Sequence, residues 1–244
     1  MCLVIAQFSE NPNEDDPFFI MAENRDENTS RLHTENHITP TESWPDVGDQ
    51  QTWFGTTAET AIALLNYYPN EKAPEKGTKT RGLVVPQLLR MNKPAVSEIK
   101  ELKEITAFQV LIFSRKCRQL VWQVWDGKNL KPSEIFESGS HAFASSSYGV
   151  EIQSQREAHV KSLIQENDKL TKKRIEKILA STKENGEIDT TTPCMKGSRS
   201  QTIASHVVQF FEDRTKITGF AGLPSNPETQ NAFLDHTIPL NHFA

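Results

Sequence analysis

MCLVIAQF at residues 1–8 and FFIMAENRDEN at residues 18–28 decide how this chain begins to fold. The first run is apolar from Cys2 to Phe8 with one polar break at Gln7, and residues 17–22 form a second apolar run. The polar, acidic stretch Ser9–Asp16 separates them and reads as the long connection of a β-hairpin. In an antiparallel hairpin the start of the first strand lies beside the end of the second. Asn24-Arg25-Asp26-Glu27 therefore falls next to Cys2. Side chains alternate along a strand, so Asn24 and Asp26 share one face, and Arg25 takes the other, where an ion pair with Glu27 or another carboxylate gives it a structural role.

Only Met1 precedes Cys2. Cysteine is small enough to permit removal of an initiator methionine, which leaves a thiol and a free α-amine on one residue. A thiolate is a strong nucleophile. An α-amine titrates near pH ~7.7–8.0 and can take the thiol proton near neutrality. A neighbouring carboxylate orients the ammonium, and a guanidinium favours the thiolate. On the plainer reading, the tetrapeptide is a polar turn that closes the hairpin.

Further along, residues 52–55 and 60–67 form a second hairpin, and helices begin near Thr80 and at Pro94. Residues 108–114 and 119–125 read as strands around a turn at Arg115–Arg118, being rich in β-branched and aromatic residues. Residues 156–182 return to helix, and Gly186–Gly197 is a loop. Residues 199–211 and 215–221 are strands, and the tail from Pro224 is irregular. Strands in adjacent hairpins with helices inserted in blocks indicate a layered α+β architecture. At 244 residues, the chain is expected to form one domain over 1–244.

The composition narrows the function. A net charge of −5 argues against nucleic-acid binding. No apolar run reaches the ~20 residues of a membrane span, and the opening lacks the basic start of a signal peptide. Cys2, Cys117 and Cys194 make an odd count with long gaps, which fits reduced thiols in a cytoplasmic protein. His33 and His37 lack the H-E-x-x-H pattern of a zinc site, and there is no phosphate-cradling glycine motif.

Cys2 at the start, ENRDENTSR (23–31), TWFG (52–55), LLNYY (64–68), KTRGLVV (79–85) and GSRSQTI (197–203) together resemble the NRDE domain family of transport-and-Golgi-organisation-type proteins. The pattern is also similar to the cysteine branch of the N-terminal nucleophile hydrolases. That resemblance implies a four-layer αββα sandwich and cleavage of non-peptide amides or related acyl bonds, with no metal or organic cofactor. It implies that Cys2 attacks the acyl carbon, Asp26 orients the amine, Asn66 holds the oxyanion and Arg199 stabilises the thiolate. Asn24 and Ser146 fall at substrate-binding positions, with Ser146 in Ala144-Ser145-Ser146-Ser147 where the branch carries an asparagine. The arginine of the branch's second strand falls on Glu23, a departure from the pattern. The expected partner is a small acyl or amide substrate. The alternative is a non-enzymatic carrier or trafficking protein for a hydrophobic ligand such as an acyl lipid or haem.

Overall fold

The computed structural model describes residues 2–9, 16–28, 43–44, 52–68, 77–165, 171–183, 185–198, 200–221, 224–225 and 231–240. The fold is α+β, with two six-stranded antiparallel sheets and few helices. The chain divides into two compact units: residues 1–37, 138–212 and 216–236 make the first, and the remainder makes the second.

The first sheet contains β1 (Cys2–Phe8), β2 (Phe19–Asn28), β9 (Ser140–Ala144), β10 (Ser200–Phe210), β11 (Arg214–Ala221) and β12 (Asn231–Pro239). Its order is β12-β11-β10-β2-β1-β9, so the strand that begins at Cys2 lies inside the sheet. The β1–β2 register sets Cys2 opposite Arg25, Leu3 opposite Asn24 and Val4 opposite Glu23. On the other side of β2, Ala204 faces Arg25, Ser205 faces Asn24 and His206 faces Glu23. A bulge between Thr202 and Ala204 leaves Ile203 without a partner and brings Thr202 opposite Asp26.

Directly opposed residues share a face, so these registers sort the sheet. One face carries Leu3, Ile5, Ile20, Ala22 and Val207, which pack on Val160 and Ile164 of α2 (Val150–Gln165) and on Ile175, Ile178 and Leu179 of α3 (Lys172–Leu179). Asn24 and Asp26 lie in this helix-covered face. The other face carries Cys2, Val4, Glu23, Arg25 and His206. In α3 the apolar residues recur at three- and four-residue spacing, and the Thr171 side chain caps the helix by accepting from the Arg174 N–H. Burying each Ile or Leu of this cluster contributes about 1.5–3 kcal/mol of transfer free energy.

The second sheet runs β3 (Ser43–Trp44), β4 (Phe54–Thr57), β5 (Thr60–Asn66), β6 (Phe108–Ser114), β7 (Gln119–Trp125), β8 (Glu134–Phe136), in that order. The short helix α1 (Val84–Leu89) packs Val84, Val85, Leu88 and Leu89 against Ile62, Leu64, Phe108 and Val110. Pro86 sits in its first turn, where the missing N–H costs no helical bond. The helix expected from Pro94 is instead two 3-10 turns, Val96–Glu98 and Leu102–Glu104. Glu101 adopts φ 60° between them, a left-handed conformation that no α-helix continues through. The tail also differs from the irregular segment expected: Asn231–Pro239 is an edge strand, closed by a proline that needs no ladder partner.

Candidate active site around Cys2

Cys2 is 4% exposed. Its backbone N–H donates to Ser145 Oγ at 2.9 Å, and its carbonyl accepts from the Ser145 N–H at 3.0 Å. Both main-chain groups of Cys2 thus point toward the end of β9 and away from β2. The Cys2–Arg25 pair is therefore a non-hydrogen-bonded pair, the type in which opposed side chains approach most closely. It is Arg25, and not Asn24 or Asp26, that shares the face of Cys2.

The thiol is held strongly neutral in the chain that carries Met1. Burial pushes its pKa up from 9.0 to about 12, and the Glu23 and Asp26 carboxylates add to the rise. The terminal ammonium of the chain and a hydrogen bond with the Asp26 backbone act in the opposite direction but do not prevail. Arg25 lies 3.9 Å from Glu27, and both side chains are partly exposed, so this ion pair contributes little to stability.

Asp26 is buried and heavily engaged. Its Oδ2 accepts from Arg156 Nη1 at 2.6 Å, and its Oδ1 accepts from Thr202 Oγ1 at 2.6 Å. The Arg156 side chain is 1% exposed, and it also donates to the carbonyls of Thr192 at 3.1 Å and Pro193 at 2.7 Å. Asn24 works beside it. Its Nδ2 donates to the carbonyls of Leu179 and Pro193 at 2.8 and 2.9 Å, and its Oδ1 accepts from Ser205 Oγ at 2.7 Å. Both amide hydrogens of Asn24 are thereby committed to the fold. The two residues pin α2, the end of α3 and the loop through Pro193 to β2.

Ser146 is buried, and its Oγ accepts from the Tyr148 N–H at 3.0 Å. Asn66 ends β5 in the second unit. Its Oδ1 accepts from Arg81 Nη1, and its backbone carbonyl accepts from Gln109 Nε2 at 3.3 Å. A guanidinium only donates, so the Asn66 oxygen faces Arg81 and its NH2 group is turned to donate elsewhere. Arg199, like His33 and His37, lies outside the described residues.

Besides Arg156, Thr202 and Ser205, which hold Asp26 and Asn24, the sequence reading missed the following features. Ser145 is the neighbour of Ser146 that the register brings to the Cys2 nitrogen. Arg81 sits in the KTRGLVV block, which had no chemical role assigned. Glu23, read as a departure from a motif, is wholly buried, and neither carboxylate oxygen has a hydrogen bond. His206 Nδ1 is 3.4 Å from its Oε1. Strand parity was the available signal for Glu23, since residues 23 and 25 must share a face. Among the described residues, no three His, Cys, Asp or Glu side chains cluster as metal ligands, and no helix is long and apolar enough to cross a membrane.

Cys2 opens an internal strand of an α+β protein, held by its own main chain against Ser145 and opposed across the sheet by Arg25. The sequence model of the family described as Transport and Golgi organisation 2 matches residues 1–222, and the chain belongs to that family. Comparison with curated proteins gives no match.

Proposed function

We propose that this chain is a hydrolase of non-peptide amides or related acyl bonds, with Cys2 as nucleophile once Met1 has been removed. The single observation that carries the reading is the hold on the Cys2 nitrogen. The atom that becomes the α-amine already has a built acceptor, Ser145 Oγ at 2.9 Å. On this reading, the Cys2 sulfur attacks the acyl carbon and its proton passes to the α-amine. That proton then goes to the departing amine, the C–N bond breaks, and a thioester forms. Water hydrolyses the thioester and restores the thiol. Asp26, fixed by Arg156 and Thr202, keeps the strand end and the N-terminal group in place. Asn66 and Arg199 carry the oxyanion and thiolate roles that the resemblance gives them. The αββα layering and a cytoplasmic setting belong to the same proposal, and the free cysteines Cys2, Cys117 and Cys194 support the latter.

A second reading is favoured by a different observation. With Met1 present, the thiol sits at about 12 and supplies almost no nucleophile at neutral pH. An unprocessed chain would then act as a carrier for a hydrophobic ligand such as an acyl lipid or haem. The test is intact mass of the purified native chain, followed by an acyl-amide panel on wild type, Cys2→Ser and Cys2→Ala. The hydrolase is expected to lose Met1, to keep weak turnover in Cys2→Ser and to have none in Cys2→Ala. Undiminished turnover in Cys2→Ala ends the nucleophile reading. Absence of turnover by the processed wild type, with lipid or haem binding intact in Cys2→Ala, favours the carrier.

A further inference from the structure

Glu23 is 0% exposed, and both its carboxylate oxygens lack a hydrogen bond. A buried carboxylate in that condition is costly, and a neutral glutamine of the same shape avoids most of the cost. Its surroundings give it a purpose. The register places Val4 opposite Glu23 and Cys2 opposite Arg25, so Glu23 is the diagonal neighbour of Cys2 on the same face. Diagonal neighbours lie ~7–8 Å apart at the backbone, within reach of a long side chain. The Cys2 N–H points toward β9 and Ser145, away from Glu23. Arg25 lies against Glu27. The basic side chain closest to Glu23 among the described residues is His206, at 3.4 Å and itself 5% exposed.

Among the described residues of β1, β2, β9 and β10, the charged and titratable groups on this face are Glu23, Arg25 and Glu27 on β2, His206 on β10 and His141 on β9, the last opposite Ala6. Asp26 acts on the thiol from the other face. Of these groups, Glu23 is the one whose charge is both buried and adjacent to the sulfur's strand position. A negative charge there opposes formation of a thiolate, in the same direction as the burial that raises the Cys2 thiol.

We propose that Glu23, beside His206, is a positioning residue whose carboxylate adds to burial in keeping Cys2 a resting thiol. It does not touch substrate. It sets the form in which the nucleophile waits, a neutral thiol whose proton, on the hydrolase reading, passes to the α-amine. The inference deepens the hydrolase reading, which supplies that base, but its own test does not use turnover.

The experiment is iodoacetamide labelling of the full-length chain between pH 7 and 10. The N-terminal peptide is followed by mass spectrometry, with the state of Met1 established by intact mass. Glu23→Gln removes the charge and keeps the shape, whereas Glu23→Asp keeps the charge and disturbs the packing. Glu23→Gln is expected to label Cys2 roughly tenfold faster at fixed pH, equivalent to one pKa unit. Glu23→Asp is expected to stay within about twofold of wild type on the same argument. Equal acceleration in both variants, or none in Glu23→Gln, overturns the proposal. If Glu23→Gln does not fold, Glu23→Met serves. It also removes the charge and is expected to label Cys2 faster than wild type, and unchanged or slower labelling overturns the proposal. A chain that never cleaves an amide still yields these rates, so failed turnover bears on the hydrolase reading alone.

Discussion

Replacing Arg156 by methionine tests whether the buried network under the NRDE tetrapeptide is a major support of the first unit. The Arg156 side chain is 1% exposed and donates to Asp26 at 2.6 Å and to the carbonyls of Thr192 and Pro193. Methionine fills most of the volume but leaves the Asp26 carboxylate buried without its cation. Breaking a buried pair from one side costs about 3–5 kcal/mol. Thr202 still donates to Asp26 and recovers a small part of that. For a chain of this size the loss lowers Tm by roughly 6–20 °C, at about 2–4 °C per kcal/mol. The assay is urea and thermal unfolding of wild type, Arg156→Met, Asp26→Asn and the double variant. The double variant is expected to be less destabilised than the sum of the singles, because removing both charges leaves neither one stranded. A loss below about 1 kcal/mol in Arg156→Met, the range of exposed ion pairs, would refute the reasoning, as would strict additivity.

Ser145→Ala removes the acceptor of the Cys2 N–H and is expected to cost about 1 kcal/mol in denaturant unfolding. In the processed chain it is expected to lower turnover further, read as kcat with KM held. Arg81→Ala and Asn66→Ala are expected to be non-additive in unfolding by at least ~0.5 kcal/mol, since one donates to the other, and additivity would show that the contact does not form. Cys2 alkylation in the Met1-bearing chain is expected to rise about tenfold per pH unit with no plateau below pH 10. A raised thiol pKa leaves the thiolate fraction small until pH approaches about 12, so a plateau near pH 8 would contradict it.

The hairpin at the start was legible because its two apolar runs are long and the acidic stretch between them is unmistakable. The pairing of residues 108–114 with 119–125 was legible for the same reason, with a basic turn between strong strand formers. What composition did not reveal was parity. Whether Cys2 shares its face with Arg25 or with Asp26 depends on a one-residue choice of register, and a slip of one residue exchanges every side chain between faces. Glu23 was visible as an oddity, and only the register shows that it faces the thiol. Ser145 was hidden by redundancy, because three consecutive serines follow Ala144 and nothing local tells them apart. The strand Asn231–Pro239 was missed because prolines and amides before it signal a loop, while an edge position tolerates such neighbours.

The unpaired Ile203 acts as a phase shifter. Without the bulge, alternation would set Ile203 opposite Asp26, and an apolar side chain would meet a buried carboxylate. With it, Asn24 and Asp26, two residues apart on one strand, meet Ser205 and Thr202, three residues apart on the next. The pairing leaves a readable mark, Asn-x-Asp answered by Thr-x-x-Ser. Another chain with the same answering spacing would be expected to carry the same extra residue. A chain that restores the two-residue spacing must find some other donor for its aspartate.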